Sequence, residues 1–173
     1  SGKFLGQRRW REINQRYFRL KKALQAKGTK SAKRHLVKLS RKENRFRRDC
    51  DHVLSKQLVT QHQEGTLFVL EDLTNIRQRV KARKRVGRSI HSWSFARLKF
   101  FLEYKAKLYR HAIDFVDPRY TSQKCSQCQH IDKKNRKTQS SFLCRKCGFQ
   151  CNADLNAAFN ICDNYLAGQD LKA

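Results

Sequence analysis

Two cysteine pairs constrain this chain more than any other feature. Cys125-Ser-Gln-Cys128 and Cys144-Arg-Lys-Cys147 flank residues 129–143. Two C-x-x-C knuckles at this spacing deliver four thiolates to the corners of a tetrahedron, which is what structural zinc requires. The polar stretch between them has to fold back like a hairpin, so a small metal ribbon is expected rather than a large core. Gly148, directly after the second knuckle, suits the tight turn that aims backbone N–H groups at sulfur. A disulfide framework competes for the same residues, but it needs an oxidising compartment and leaves one of seven cysteines over. Redox chemistry at a C-x-x-C is a third account, and two matched knuckles argue against it. One structural zinc on Cys125, Cys128, Cys144 and Cys147 is the expectation. Cys151 then stands outside a completed shell. Cys50 and Cys162 fall on apolar stripes of predicted helices and read as small core residues. His130 lies inside the ribbon, with no coordination position left for it.

Charge points to the partner. The 173 residues carry 40 Lys and Arg against 14 Asp and Glu, net +26, and cations in such excess repel one another in a compact state. Phosphates relieve that repulsion and release counterions, so nucleic acid is the expected partner. The excess is concentrated in residues 1–48, which hold 18 basic and 2 acidic side chains. No apolar run approaches the roughly 20 residues that span a bilayer, and no signal-peptide core opens the chain, so neither a membrane nor a secreted protein is expected.

The element order is read from periodicity. Trp10, Ile13, Tyr17, Leu20 and Leu24 put one stripe on a helix over 7–25, and Gly28 breaks it. Thr29 or Ser31 caps a second helix carrying Leu36, Leu39, Phe46, Cys50, Val53 and Leu58, giving an antiparallel pair over about 7–63 with basic outer faces. Residues 66–70, Thr-Leu-Phe-Val-Leu, read as a strand buried on both faces. Residues 77–88 hold seven basic side chains, Arg77, Arg79, Lys81, Arg83, Lys84, Arg85 and Arg88, expected to contact phosphates as a loop ordering on a nucleic-acid backbone; a nuclear-localisation run has the same composition. A third helix is expected over 92–110, including Trp93, Lys105 and Leu108, then a second strand over 111–116. A last helix over 154–167 is expected to bury Leu155, Ala158, Phe159, Cys162, Tyr165 and Leu166. This order is α/β, with the start of its sheet absent.

With so few acids, placement matters. Glu71 ends an apolar strand, where open α/β sheets present ligand-binding residues. Asp154 begins a helix, where the macrodipole favours the ionised form. Two such carboxylates can share a hard divalent cation such as Mg²⁺ and position a water in phosphodiester cleavage. Each also has a plain structural account: Asp154 as a helix cap, Glu71 as the partner of an Arg.

Tyr120-Thr-Ser-Gln-Lys-Cys-Ser-Gln-Cys128, Phe142-Leu-Cys-Arg-Lys-Cys-Gly-Phe149 and Asn152-Ala-Asp-Leu-Asn-Ala-Ala-Phe-Asn-Ile161 together resemble the C-terminal half of TnpB. TnpB proteins, formerly OrfB-type accessory transposases, are RNA-guided DNA endonucleases encoded by insertion sequences, and the same nuclease and ribbon recur in type V CRISPR effectors. Gly28-Thr-Lys-Ser-Ala-Lys-Arg34 and Phe68-Val-Leu-Glu-Asp-Leu73 also look like the family's helical segment and middle strand.

The resemblance implies an α/β fold: a partial RNase H-like (RuvC) domain over 1–119 with a helical hairpin insertion, a zinc ribbon over 120–151, and a final helix and tail over 152–173. It makes 66–70 and 111–116 the fourth and fifth of five strands. It implies that Glu71 and Asp154 are the second and third catalytic carboxylates, ligands to Mg²⁺ or Mn²⁺, that DNA and guide RNA are the partners, and that the location is the prokaryotic cytoplasm. The family's first Asp, in a D-x-G pattern, has no counterpart, and no Asp precedes Phe46. The chain is therefore expected to be a C-terminal piece that does not cleave DNA alone. The other reading is a catalytically inactive zinc-ribbon protein of the same descent that binds nucleic acid; a ribbon protein of a ribonucleoprotein particle fits the charge but not Glu71 and the last helix.

Overall fold

Gly28 and Thr29 make the first corner. In the computed structural model, residues 7–74 and 95–170 are described, and they divide into two units, one of residues 7–64 and 95–110, the other of 65–74 and 111–170. The division falls within the expected 1–119 segment.

In the first unit, α1 (Arg8–Lys27) ends where Gly28 takes φ 65°, a left-handed conformation that costs little without a Cβ. Of the two candidate caps it is Thr29 that starts α2 (Lys30–Thr60), its Oγ1 accepting the Ala32 N–H at 3.1 Å. Lys21 meets Glu43 and Tyr17 meets Phe46, so the helices are antiparallel, as expected. Glu43 is buried and takes Lys21 Nζ at 2.8 Å and Arg47 Nη2 at 2.6 Å, which satisfies an anion that would otherwise be costly to desolvate. Trp10, Ile13, Tyr17 and Leu24 are half-buried on the expected stripe. Leu20 is exposed, because at 100° per residue it sits about 60° round the helix from Tyr17.

Helix α3 (Phe95–Leu108) lies parallel to α2, since contacts advance together from Asp51–Arg97 to His52–Phe101 and Ser55–Lys105. Val59, Phe101, Leu102 and Ala106 are the buried apolar side chains there. Lys105 is buried too, its Nζ donating to His52 O and Ser55 Oγ, each at 2.7 Å. Burial, helped by Lys56, pushes its pKa down. Burial also lowers that of His52, with Lys105 and Arg48 adding to the effect. Leu108, expected on the stripe, is exposed at the helix end. Ser92 and Trp93 lie outside the described residues.

The second unit starts with β1 (Leu67–Glu71), paired in parallel with β2 (Ala112–Val116) in the register Leu67↔Ala112 to Glu71↔Val116. Both strands begin one residue later than expected, although Thr66 O still accepts the Ala112 N–H at 3.1 Å. Burial on both faces is not what the structure shows. Phe68 is buried, Val69 and Leu70 are half-buried, and Leu67 is exposed. Among the described residues this sheet has two strands, too few to be covered throughout. A second two-stranded sheet, antiparallel, joins β3 (Ser141–Leu143) to β4 (Gln150–Asn152).

Helix α4 (Ala153–Asp170) overturns the expected burial. Phe159 is 48 % and Leu166 55 % exposed, and Ala158 and Cys162 are exposed as well. Leu155 and Tyr165 are only half-buried. The buried residues are Ala153, Asn156 and Asn160. Backbone carbonyls at the start of the ribbon need donors, and two asparagine amides supply them where leucine could not. Cys162 is thus not a core residue, and Cys50 is half-buried.

Candidate zinc ribbon and carboxylate site

The knuckles are built alike. In the first, Gln129 N donates to Cys125 O at 2.9 Å and Cys125 N to His130 O at 2.9 Å; in the second, Gly148 N donates to Cys144 O at 3.1 Å and Cys144 N to Phe149 O at 2.9 Å. Both turns need a left-handed residue, φ 60° at Gln129 and 74° at Gly148. Glycine takes this conformation freely, and glutamine does not. Gln129→Gly should therefore stabilise the ribbon by about 1 kcal/mol, read as a raised thermal midpoint of the zinc-loaded chain; an unchanged or lower midpoint would show that the Gln129 side chain offsets the strain.

The four sulfurs converge to within 4.8 Å of one another, with Cys125–Cys147 at 3.7 Å and Cys128–Cys144 at 3.5 Å. A tetrahedron with Zn–S bonds of about 2.3 Å has sulfur edges of about 3.8 Å, so the quartet fits one structural zinc. Among the described residues it is the one group of three or more His, Cys, Asp or Glu gathered closely enough to hold a metal. Proton affinity is unevenly spread across it. Burial works to raise the Cys144 thiol, but the N–H groups of Cys147 and Lys146 and contacts with Cys128 and Cys147 outweigh it and bring it to about 6. The Phe149 N–H works to lower Cys147, while burial and the neighbouring sulfurs push it up to about 12. Cys151 stays outside the quartet, packed beside it, its thiol raised by burial and by Cys125.

Asparagines hold the ribbon together. Asn135, fully buried, donates from Nδ2 to Gln123 O at 2.9 Å and His130 O at 3.3 Å, and accepts the Arg145 N–H at 2.9 Å, which joins the first knuckle to the second. Asn152 Oδ1 accepts the Asp154 and Leu155 N–H groups and caps α4. Asn156 accepts the Ser126 N–H and donates to Lys124 O, and Asn160 donates to Thr121 O at 2.8 Å and Lys124 O at 2.7 Å. Asn164 Oδ1 accepts from Lys124 Nζ at 3.4 Å. Asparagine at every fourth position, 152, 156, 160 and 164, is the helical signal for this face, and apolar periodicity does not register it.

Both singled-out carboxylates lie in the second unit. Glu71 is the last residue of β1, half-buried, and its Oε1 accepts the Thr121 hydroxyl at 2.5 Å. An open pocket of about 590 Å³ lies at the carboxyl ends of the parallel strands, lined by Asp72, Phe115, Val116, Asp117, Pro118 and Arg119. Asp154 sits in the first turn of α4, its side chain 53 % exposed, with Arg136 Nη2 at 3.0 Å from Oδ1. Asn152, not Asp154, is the cap. Arg77, Arg79, Lys81, Arg83, Lys84, Arg85 and Arg88 lie outside the described residues.

A parallel strand pair carrying a carboxylate at its carboxyl edge and feeding a four-cysteine ribbon defines the chain as a mixed α/β zinc-ribbon protein. The profile of the Cas12f1-like TNB domain matches residues 95–161. The chain is 40 % identical over 119 residues to the CRISPR-associated endodeoxyribonuclease Cas12f1 of Sulfoacidibacillus thermotolerans, covering 67 % of this chain and 26 % of that protein. It is 35 % identical to a TnpB-like protein of Methanocaldococcus jannaschii, covering 73 % of this chain and 45 % of the relative. The cryo-EM structure of a Cas12f1–sgRNA–target DNA complex superposes with a TM-score of 0.65 at 25 % identity, over 87 % of this chain and 40 % of that one. The chain belongs to the TnpB/Cas12f family and corresponds to its C-terminal region. It spans less than half the length of these curated relatives. Among the described residues, no helix is long and apolar enough to cross a membrane.

Proposed function

We propose that this chain is the C-terminal RuvC-like and zinc-ribbon part of an RNA-guided DNA endonuclease, in which Glu71 and Asp154 hold Mg²⁺ or Mn²⁺ for phosphodiester hydrolysis. The observation that carries the reading is Glu71 at the carboxyl end of a parallel strand beside an open pocket, its orientation fixed by the Thr121 hydroxyl. Support comes from relatives described as endodeoxyribonucleases and from the sgRNA and target DNA of the Cas12f1 complex.

A bound divalent cation would supply a Lewis acid and an activated water. Glu71 contributes a carboxylate held in one orientation. Asp154 contributes one that pairs with Arg136, which has to give way when a cation binds. Positive charge over residues 1–48 and 77–88 would bind the nucleic-acid backbones, with DNA and guide RNA as partners. The family's first carboxylate is not supplied by residues before Phe46, so the chain alone is expected to bind metal without cleaving.

Calorimetric titration of Mn²⁺ into the zinc-loaded chain tests this. Binding on the order of millimolar is expected, lost in Glu71→Gln and in Asp154→Asn with zinc content unchanged. Equal isotherms for all three proteins would refute the assignment.

A further inference from the structure

Among the described residues, three non-glycine residues take positive φ: Arg110, Gln129 and Tyr120. Arg110 ends the turn after α3, and Gln129 serves a knuckle. Tyr120 is different, an aromatic residue at φ 63° with 54 % of its surface exposed. Left-handed backbone is unfavourable for a bulky side chain, and such strain persists only where the surroundings over-determine it, most often at functional sites.

The surroundings do over-determine it. Tyr120 O accepts the N–H of Gln123 at 2.8 Å and of Lys124 at 2.9 Å. The next residue is tied on both sides: Thr121 O accepts from Asn160, and Thr121 Oγ1 donates to Glu71 Oε1 and lies 3.0 Å from Pro118 O. Fixing the turn this firmly does nothing for the ring's own burial. Its consequence is an exposed aromatic held one residue from the hydroxyl that orients Glu71. Arg119, the residue before, lines the pocket at the strand ends, its exposed side chain ion-paired with Asp117 through Nε at 2.6 Å.

We propose that Tyr120 is a stacking platform for an unpaired nucleobase, which seats a single strand of nucleic acid at the strand ends near Glu71. An aromatic ring can stack only on a base whose face is free, so the ligand is single-stranded or locally unpaired. Stacking is sequence-tolerant, because every base has a π face. This inference rests on the carboxylate reading proposed above and adds the group that positions the strand.

The test is titration of the zinc-loaded full chain into a single-stranded DNA oligonucleotide carrying 2-aminopurine, with a duplex of the same sequence alongside. Tyr120→Phe should keep the affinity and the stacking change in fluorescence. Tyr120→Ala should weaken single-strand binding about tenfold and abolish that change, while leaving duplex affinity unaltered. Zinc stoichiometry of one in each variant shows that the ribbon is intact. If Tyr120→Ala binds like the parent, or if Tyr120→Phe fails equally, the stacking role is wrong and the carboxylate reading stands. If the parent chain binds neither oligonucleotide at low salt, both fall together.

Discussion

Chelating zinc from this chain should unfold the ribbon while α1, α2 and α3 persist. The apolar cluster there consists of Cys125, Phe142, Cys144 and Ala153, with Cys128, Phe149 and Cys151 packed against it. Three of those seven side chains, Cys125, Cys128 and Cys144, are zinc ligands themselves. Its strands are three residues long, and paired strands of that length do not stand alone in water. Without the metal, what remains is four thiols crowded together with little apolar surface to bury. Structural zinc sites supply an apparent 10–16 kcal/mol, about as much as a whole domain's stability. The first unit's buried apolar residues, Ala32, Val59, Phe101, Leu102 and Ala106, include no ligand. Removing one equivalent of zinc with a strong chelator should collapse the amide NMR dispersion of residues 120–152 and leave that of α1 to α3. Cys144→Ser should do the same without chelator. Ribbon amide shifts unchanged after quantitative zinc release would refute the claim.

Asn160→Ala should destabilise the second unit by about 2–4 kcal/mol. It strips the donor from Thr121 O and one of two donors from Lys124 O, which keeps that of Asn156, at a fully buried position. Leaving a buried acceptor unmatched costs about 1–3 kcal/mol, and alanine also leaves a void. Asn164→Ala, which loses one long contact of 3.4 Å to an ammonium, should cost under about 0.5 kcal/mol. Urea titration followed through the ribbon signals separates the two. A loss below about 1 kcal/mol for Asn160→Ala would mean that water takes over the carbonyls.

What the sequence made legible follows the strength of its local constraints. The knuckles were readable because their spacing admits few geometries, and the quartet is where it was placed. The α1–α2 corner was readable because Gly28 and Thr29 each have one strong local preference. Glu71 was locatable because a short apolar run ends at a charge. The face of α4 was not, since hydrophobicity assigns burial by counting apolar residues, and there the ribbon's carbonyls set the demand. Asn135 carried no signal at all: its partners come from positions 123, 130 and 145, brought together only by the fold. Sheet burial was overestimated for a related reason, because two strands cannot give each other the cover that the apolar run implied.

The asparagine row on α4 bears on which changes of length this region can absorb. At about 100° of rotation per residue, one residue inserted or deleted between 152 and 160 would swing every later asparagine away from the carbonyl it serves and turn Phe159 or Ile161 towards backbone oxygen. Substitutions there remove contacts one at a time, whereas a shift of frame along the helix removes them together. Past Asn164 no described hydrogen bond ties α4 to the ribbon, so length variation among related chains should gather there and at the exposed residues 137–139, and should be rare between the second knuckle and Asn160.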